Sequence, residues 1–268
     1  MMAIVEVGGE NRSGWLQGFR ELDLILRGDR TRPSALREGA VPISPVRLSR
    51  VIVLLCLAHG LCMGTFAMFS KNGPALDQVL ATMVKVPLLF YLTLFVTLPS
   101  LYVFNALVGS RLTFSSVVRV LTATLGVNVA VLASLGPIVA FFSACTTSYP
   151  FMVLFNVVVF AVAGFLAQMY LLQTLQRLSI AQVLEDATRV EPVDEAPAAI
   201  RPLSDEFLGR HVKTIFRLWL VLFGLVGAQM GWVLRPFIGN PNIPFTWFRP
   251  RQSNFFEAVL HTLGSLFS

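Results

Sequence analysis

The sequence predicts an all-α, polytopic membrane protein, a five-transmembrane-helix bundle with amphipathic interfacial helices at both ends. Hydrophobic residues make up 55% of the 268 positions and charged residues only 13%, where soluble domains carry about 25% charged residues. Five apolar runs are each long enough to cross a hydrocarbon core of ~30 Å at ~1.5 Å per residue. Basic residues also alternate between plentiful and scarce in successive connections. The five runs are 51–70, 87–109, 117–143, 150–175 and 215–237.

Residues 1–50 are predicted to form a cytoplasmic arm that contains an amphipathic helix at 13–27. Apolar residues recur there at helical spacing, and Gly28 follows at the C′ position, which favours glycine. Two placements are open. The helix lies in the membrane interface, with Trp15 and Phe19 at headgroup depth, or it docks on the cytoplasmic ends of the spans. Docking of a partner protein on this helix is a third interpretation.

Glycine pairs in the apolar runs predict close helix packing. In the first of the four spans within 51–175, Gly60 and Gly64 form a G-x-x-x-G pattern. The fifth span repeats the pattern. Small residues at this spacing let two helix backbones approach in lipid, either within one chain or between copies, and we favour contact within the chain. The glycines of the fifth span are Gly224, Gly227 and Gly231.

Four polar side chains inside the spans have two interpretations. His59, Asn128, Asn156 and Gln229 have no Asp, Glu, Lys or Arg partner at a similar depth in the sequence. They are predicted to bond between helices, as isolated polar residues in membranes usually do. The alternative is that they line a polar path for a solute, although a proton-coupled or ion-coupled mechanism would lack its charge carrier.

Lys and Arg counts predict the orientation. Sixteen of the 21 basic residues fall in the amino-terminal segment and the second and fourth connections, and five fall on the other side. The positive-inside rule then puts the amino terminus in the cytoplasm and the carboxyl terminus outside. The first 20 residues lack the apolar core and cleavage site of a signal peptide, so the first span is predicted to act as an uncleaved signal.

The second half of the chain contains a linker, a span and a tail. Residues 176–203 are acidic and proline-broken, which predicts a cytoplasmic linker without a core. Ser204 is a predicted N-cap for the fifth transmembrane segment, 204–239. The extracytoplasmic tail, 240–268, is predicted to hold a second amphipathic helix. Interface or partner contacts are predicted at the end of this span and in the tail for Trp232, Arg235, Trp247, Arg249, Phe255 and Phe256.

No motif for catalysis, nucleotide binding or metal binding is found in the sequence. We therefore expect a protein that is not an enzyme, needs no cofactor or metal and binds no nucleic acid. The expected function is a non-enzymatic membrane scaffold or accessory subunit. The expected partners are the lipid bilayer and another membrane protein or a second copy of the chain. The alternative is a small-solute or lipid transporter or channel.

A family resemblance supports the same architecture. The segment Lys85-Val86-Pro87-Leu88-Leu89, followed by Leu98-Pro99-Ser100-Leu101-Tyr102 and Gly109, is similar to the Yip-type five-pass membrane proteins over residues 80–175. Within that likeness the chain most resembles a group of uncharacterised bacterial membrane proteins, with a distinctive tail at 229–267. The resemblance implies a bacterial inner membrane location and no Rab GTPase partner.

Overall fold

The computed structural model describes residues 3–31, 43–69, 75–107, 113–189, 218–240, 243–250 and 253–267. Over these residues the fold is all-α, as predicted. A single turn of 3-10 helix, Asp29–Thr31, follows the first helix. The helices are α1 (Ala3–Leu26), α2 (Pro45–Met68), α3 (Leu76–Leu107), α4 (Phe114–Cys145), α5 (Tyr149–Arg189), α6 (described part Leu218–Val233) and α7 (Phe255–Phe267).

Four of the described helices are long and apolar enough to cross a membrane, whereas the sequence predicted five. The fifth apolar run corresponds to α6. Its described part, Leu218–Val233, is a shorter apolar helix of about 24 Å at ~1.5 Å per residue, below the ~30 Å of a hydrocarbon core. The candidate spans are Pro45–Met68, Leu76–Val103, Phe114–Cys145 and Tyr149–Leu178.

Contacts between the helices arrange them in the cyclic order α2, α4, α5, α6, α3. The α2 helix packs on α3 and α4, and α4 packs on α5. The Gln168 amide of α5 donates to the Leu220 carbonyl of α6 at 3.2 Å, and the Trp219 indole of α6 donates to the Ser100 hydroxyl of α3 at 3.0 Å. We call the end of the bundle beside α1 the arm end. The opposite end, where residues 234–240 and 243–250 lie, is the tail end.

Ring contacts join three helices midway along the bundle. Phe90 of α3 stacks on Phe160 of α5 with ring centroids 6.0 Å apart, and His59 of α2 meets Phe160 edge-on at 5.6 Å. A Cβ atom at Gly60 would lie 2.8 Å from the Met83 Cα, so only glycine permits this approach of α2 to α3. The α2, α3 and α5 helices are therefore in direct contact at this level.

The α1 helix docks on the bundle, which is the second of the two placements left open by the sequence. Its Leu22 and Ile25 side chains are buried. A Cβ atom at Gly18 would come within 2.7 Å of a Val51 methyl group of α2, and one at Gly126 of α4 would lie 3.3 Å from Leu22. The helix begins at Ala3, earlier than the predicted start at residue 13.

Polar contacts hold α1 in place and end it. Arg47 of α2 forms an ion pair with Glu21 at 2.8 Å and donates a hydrogen bond to Gln17 at 3.0 Å. Gly28 has φ 77°, the left-handed conformation expected of a C′ glycine. Near this end, a hydrogen bond to Asp23 and then its negative charge raise the pKa of Arg27.

The α5 helix continues past the membrane-spanning length into the segment predicted as a linker. Residues 176–189 belong to α5. Residues 190–217, with the predicted N-cap Ser204, lie outside the described residues. The tail helix predicted from the amphipathic pattern is α7, which packs on α5.

Candidate functional site

Three polar side chains on one face of α3 hold the tail. Gln78, Thr82 and Lys85 are spaced by four and three residues, which places them on the same side of a helix. The Thr82 hydroxyl lies 2.6 Å from the Phe237 carbonyl and 2.7 Å from the carbonyl of Gln78, one turn earlier in α3. The Gln78 amide donates to the Pro236 and Phe237 carbonyls at 3.3 and 3.2 Å. Tail carbonyls that would otherwise lack a donor are thus satisfied by α3.

Lys85 is the centre of this contact. Its side chain is only 1% exposed, and its ammonium donates to the Pro236 carbonyl at 3.0 Å and to the Trp247 carbonyl. The ammonium also lies 5.9 Å from the Trp247 ring centroid and 5.4 Å from that of Phe248. Carbonyl oxygens and aromatic faces stabilise a buried cation, but none of them neutralises its charge.

One arginine of the tail, Arg249, acts on two other cations at this end. The Arg249 charge acts on both Lys85 and Arg235, so the three cations form one electrostatic cluster. The Arg235 guanidinium stacks on the Trp232 ring at 3.3 Å and donates to the Pro250 carbonyl at 2.7 Å. We call Lys85, Arg235 and Arg249 the cationic cluster.

Trp232 and α7 fix the position of this cluster. The Trp232 indole donates to the Ser253 carbonyl at 2.5 Å. The Gln229 side chain accepts a hydrogen bond of 3.5 Å from the Phe255 backbone amide at the start of α7. Asn254 caps α7, because its side-chain oxygen accepts from the Glu257 amide at 2.9 Å. All six residues predicted at the end of the fifth span and in the tail therefore lie in or beside one folded unit at the tail end.

The predicted polar path is brought together only in part. His59 contacts α5 at Phe160 and lies near the Leu132 backbone of α4, although neither ring nitrogen forms a hydrogen bond of ordinary geometry. Asn128 lies one turn before Leu132, toward the arm end, and Asn156 lies one turn before Phe160, toward the tail end. The two asparagines are therefore at different levels of the bundle. Each asparagine has a buried side-chain oxygen without a hydrogen-bond partner. Gln229 is not part of this group, because it contacts α7.

The predicted packing glycines separate into two sets. Gly60 and Gly64 meet the α3 backbone, where an added Cβ would lie 2.8 Å from the Met83 Cα and 3.0 Å from the Val79 Cα. The α6 glycines are less tightly packed. An added Cβ would lie 3.4 Å from Gln168 at Gly224, 3.6 Å from Thr93 at Gly227 and 4.0 Å from Leu89 at Gly231.

At the arm end, one face of α1 is exposed beside a polar pocket. Trp15, Leu16 and Phe19 are 36%, 71% and 41% exposed, while Leu22 on the docked face is 5% exposed. The pocket has a volume of about 200 Å³ and contains three arginines and one glutamate. Its lining residues are Gln17, Arg20, Glu21, Leu24, Arg30 and Arg47.

Gln78 and Thr82 were not predicted as functional residues, and Lys85 entered the predictions only through the Lys and Arg count and the family resemblance. Their spacing of four and three residues puts polar side chains on one side of an apolar helix. This pattern could have predicted a contact, because polar side chains in a membrane span need hydrogen-bond partners. The partners themselves carry no signal, since they are backbone carbonyls more than 150 positions away.

Comparisons with known proteins do not identify the chain. No protein-family model matches it, and no curated protein or solved structure shows significant similarity. Among the described residues, no three His, Cys, Asp or Glu side chains are placed to hold a metal ion. The arginines at the tail end have the chemistry to bind anions, and the aromatic side chains beside them can bind aromatic or acyl groups.

Proposed function

We propose that this chain is a non-enzymatic integral membrane scaffold or accessory subunit that binds another membrane protein. The direct contacts among the helices are the observation that carries the proposal. Ring contacts among Phe90, Phe160 and His59 join α2, α3 and α5, and Gly60 brings α2 into contact with the α3 backbone. The arm end is covered by α1 and the tail end by residues 234–240 and 243–250. A bundle closed in this way is suited to presenting surfaces rather than to conducting a solute.

The scaffold would cross the membrane five times, with the amino terminus in the cytoplasm. The path of α6 supports the fifth crossing. Its described part lies beside Ser100 of α3 at Trp219 and passes Thr93 and Leu89, before the chain reaches Lys85. The stretch of α3 from Ser100 to Lys85 is about 22 Å long, most of the thickness of a hydrocarbon core. The Lys and Arg distribution supports the orientation.

Two features at the arm end fit a partner. The exposed side chains Trp15, Leu16 and Phe19 form an apolar face on a helix that is itself anchored to the bundle. The α5 helix reaches Arg189, whereas its candidate span ends at Leu178, so it extends about 16 Å beyond the span. An exposed aromatic face on a rigid element is typical of a protein interaction site.

Purification in a mild detergent followed by native mass analysis tests the scaffold proposal. We expect a discrete complex heavier than the 29.5 kDa chain, which contains either a second protein or a second copy. Replacing Trp15 and Phe19 by Ala should dissociate it without lowering the unfolding temperature. The matched control is Leu222→Ala, which truncates an exposed side chain of α6. A monomer with no partner after gentle crosslinking would contradict the proposal.

A solute path is the second candidate, and the unpartnered polar atoms of His59, Asn128 and Asn156 favour it. Buried polar groups without partners are uncommon and suggest that polar molecules enter. Transport would require the stacked rings of Phe90 and Phe160 to separate, because they lie beside His59 between the levels of the two asparagines. Asn128→Leu and Asn156→Leu would be compared with Gln168→Leu, which removes an amide bonded to α6. Unchanged cell phenotype with retained folding in both asparagine variants would exclude the path.

The likeness to Yip-type proteins remains a prediction from residues 80–175. It supports the proposed five crossings and adds nothing about a partner.

A further inference from the structure

The cationic cluster at the tail end lacks a negative counterpart among the described residues. Asp77 and Glu257 are the acidic side chains described near this end, and both are exposed. The ion pairs seen in the described part of the chain lie at the arm end and involve neither of them. The Arg249 charge therefore repels both the buried Lys85 ammonium and Arg235 with no described acidic partner beside them, an arrangement that is costly without an anion.

The two arginines retain donors that no described residue uses. One terminal nitrogen of Arg235 and the Nε of Arg249 are buried without a hydrogen-bond partner. Arginine presents its donors in a planar fork that matches the oxygens of a phosphate. Stacking on Trp232, itself fixed by Ser253, holds the Arg235 fork in one orientation before any ligand arrives. The Arg235 guanidinium is therefore held in one orientation, with one nitrogen left to donate to an anion.

The surroundings of the cluster identify the source of the phosphate. Phe248 and Trp247 are 58% and 51% exposed, and Phe256 and Leu260 on α7 are 46% and 68% exposed. Exposed aromatic and aliphatic side chains at the end of membrane-spanning helices lie at the level of lipid headgroups and upper acyl chains. A free phosphate in solution would gain nothing from these apolar groups, whereas a lipid would contact both them and the arginines.

We propose that Arg235 and Arg249 bind the phosphate of an anionic lipid headgroup in the leaflet at the tail end. Phe248 and α7 contact the acyl chains of the same lipid. Lys85 stays bonded to the tail carbonyls, and its positive charge adds to the attraction of the two arginines for the phosphate. The proposal goes beyond the scaffold function and does not depend on it.

Native mass analysis of the purified full chain with added lipid tests this site. We expect the chain to retain one phosphatidylglycerol molecule under detergent conditions that remove phosphatidylcholine. The double variant Arg235→Gln with Arg249→Gln should lower the apparent affinity for phosphatidylglycerol at least about tenfold. The matched control is Arg50→Gln, which removes an exposed positive charge at the arm end and should leave retention unchanged.

Each alternative outcome decides against the proposal. Equal retention of phosphatidylglycerol and phosphatidylcholine by the unmodified chain would show that no anionic headgroup is selected. Displacement of phosphatidylglycerol by inorganic phosphate alone would assign the site to a soluble anion. Undiminished retention by the folded double variant would place the lipid elsewhere. If the Gln variant does not fold, Arg235→Lys with Arg249→Lys keeps the charge but removes the fork, and unchanged affinity in that variant would overturn the proposal.

Discussion

Replacing Lys85 by methionine should release the tail from α3 while leaving the helices folded. Methionine has nearly the same length as lysine but donates no hydrogen bond. The substitution removes two charge-assisted bonds, to the carbonyls of Pro236 and Trp247, and each such bond contributes about 1.5–3 kcal/mol. Burial of the Lys85 ammonium costs free energy, and methionine removes this cost together with the hydrogen bonds. Part of the lost hydrogen-bond energy is therefore offset. A net loss of about 1–3 kcal/mol in tail docking remains.

Hydrogen exchange measured by mass spectrometry reports this loss directly. Amides of residues 237–240 and 243–250, such as that of Ile243 bonded to Asn240, exchange when the tail opens. Since about 1.4 kcal/mol corresponds to a tenfold change, their exchange should accelerate about 5- to 150-fold, with little change in the middle of α3. The matched control is Val84→Met, which introduces the same residue at the neighbouring position, 52% exposed.

Two results would refute the reasoning. Tail exchange in Lys85→Met equal to that of the unmodified chain would show that the ammonium does not hold the tail. The same acceleration in Val84→Met would show that any methionine at this level perturbs α3, independently of the lost charge.

Three further outcomes follow from contacts elsewhere in the chain. Gly60→Ala should lower the unfolding temperature, at a cost of about 1–3 kcal/mol, because the added Cβ atom would meet the α3 backbone. The control is Gly164→Ala, whose added Cβ atom has no other atom within 4 Å. Equal effects of the two substitutions would contradict the packing argument. A double-mutant cycle between Arg47 and Glu21 should give a coupling energy of about 1 kcal/mol, because the Glu21 side chain is mostly buried. A coupling energy near zero would mean that the ion pair does not anchor α1. Trp219→Phe should lower stability through lost packing and through loss of the hydrogen bond to Ser100, and a double-mutant cycle with Ser100→Ala should assign about 1 kcal/mol of coupling to that bond; a coupling energy near zero would contradict it.

The number of spans shows how far apolar length alone can be used. Four of the five runs correspond to helices that meet the length and hydropathy of a span. The fifth run is also apolar, but the described part of its helix, Leu218–Val233, is short. Apolar length is a local property, so it locates helices well. Where a helix begins depends also on the polar residues that precede it, and those lie outside the described residues.

The arm illustrates a different limit. Its apolar spacing predicted an amphipathic helix and its terminating glycine, and both are present in α1. The pattern could not say which apolar residues would be buried. Leu22 packs on α4, whereas Trp15 and Phe19 stay exposed. Both sets satisfy the same periodicity, so only the shape of the bundle surface distinguishes them.

By itself, the sequence determined that the chain is an all-α membrane protein with packing glycines in its spans and an aromatic, basic tail. Those properties depend on hydrophobicity, small residue size and charge, which are readable position by position. Only the tertiary structure decided that Lys85 is buried beneath the tail, that His59 meets Phe160, and that Gln229 belongs with α7. Each of these contacts joins segments distant in the chain, and their energies depend on distances and burial that no local pattern contains.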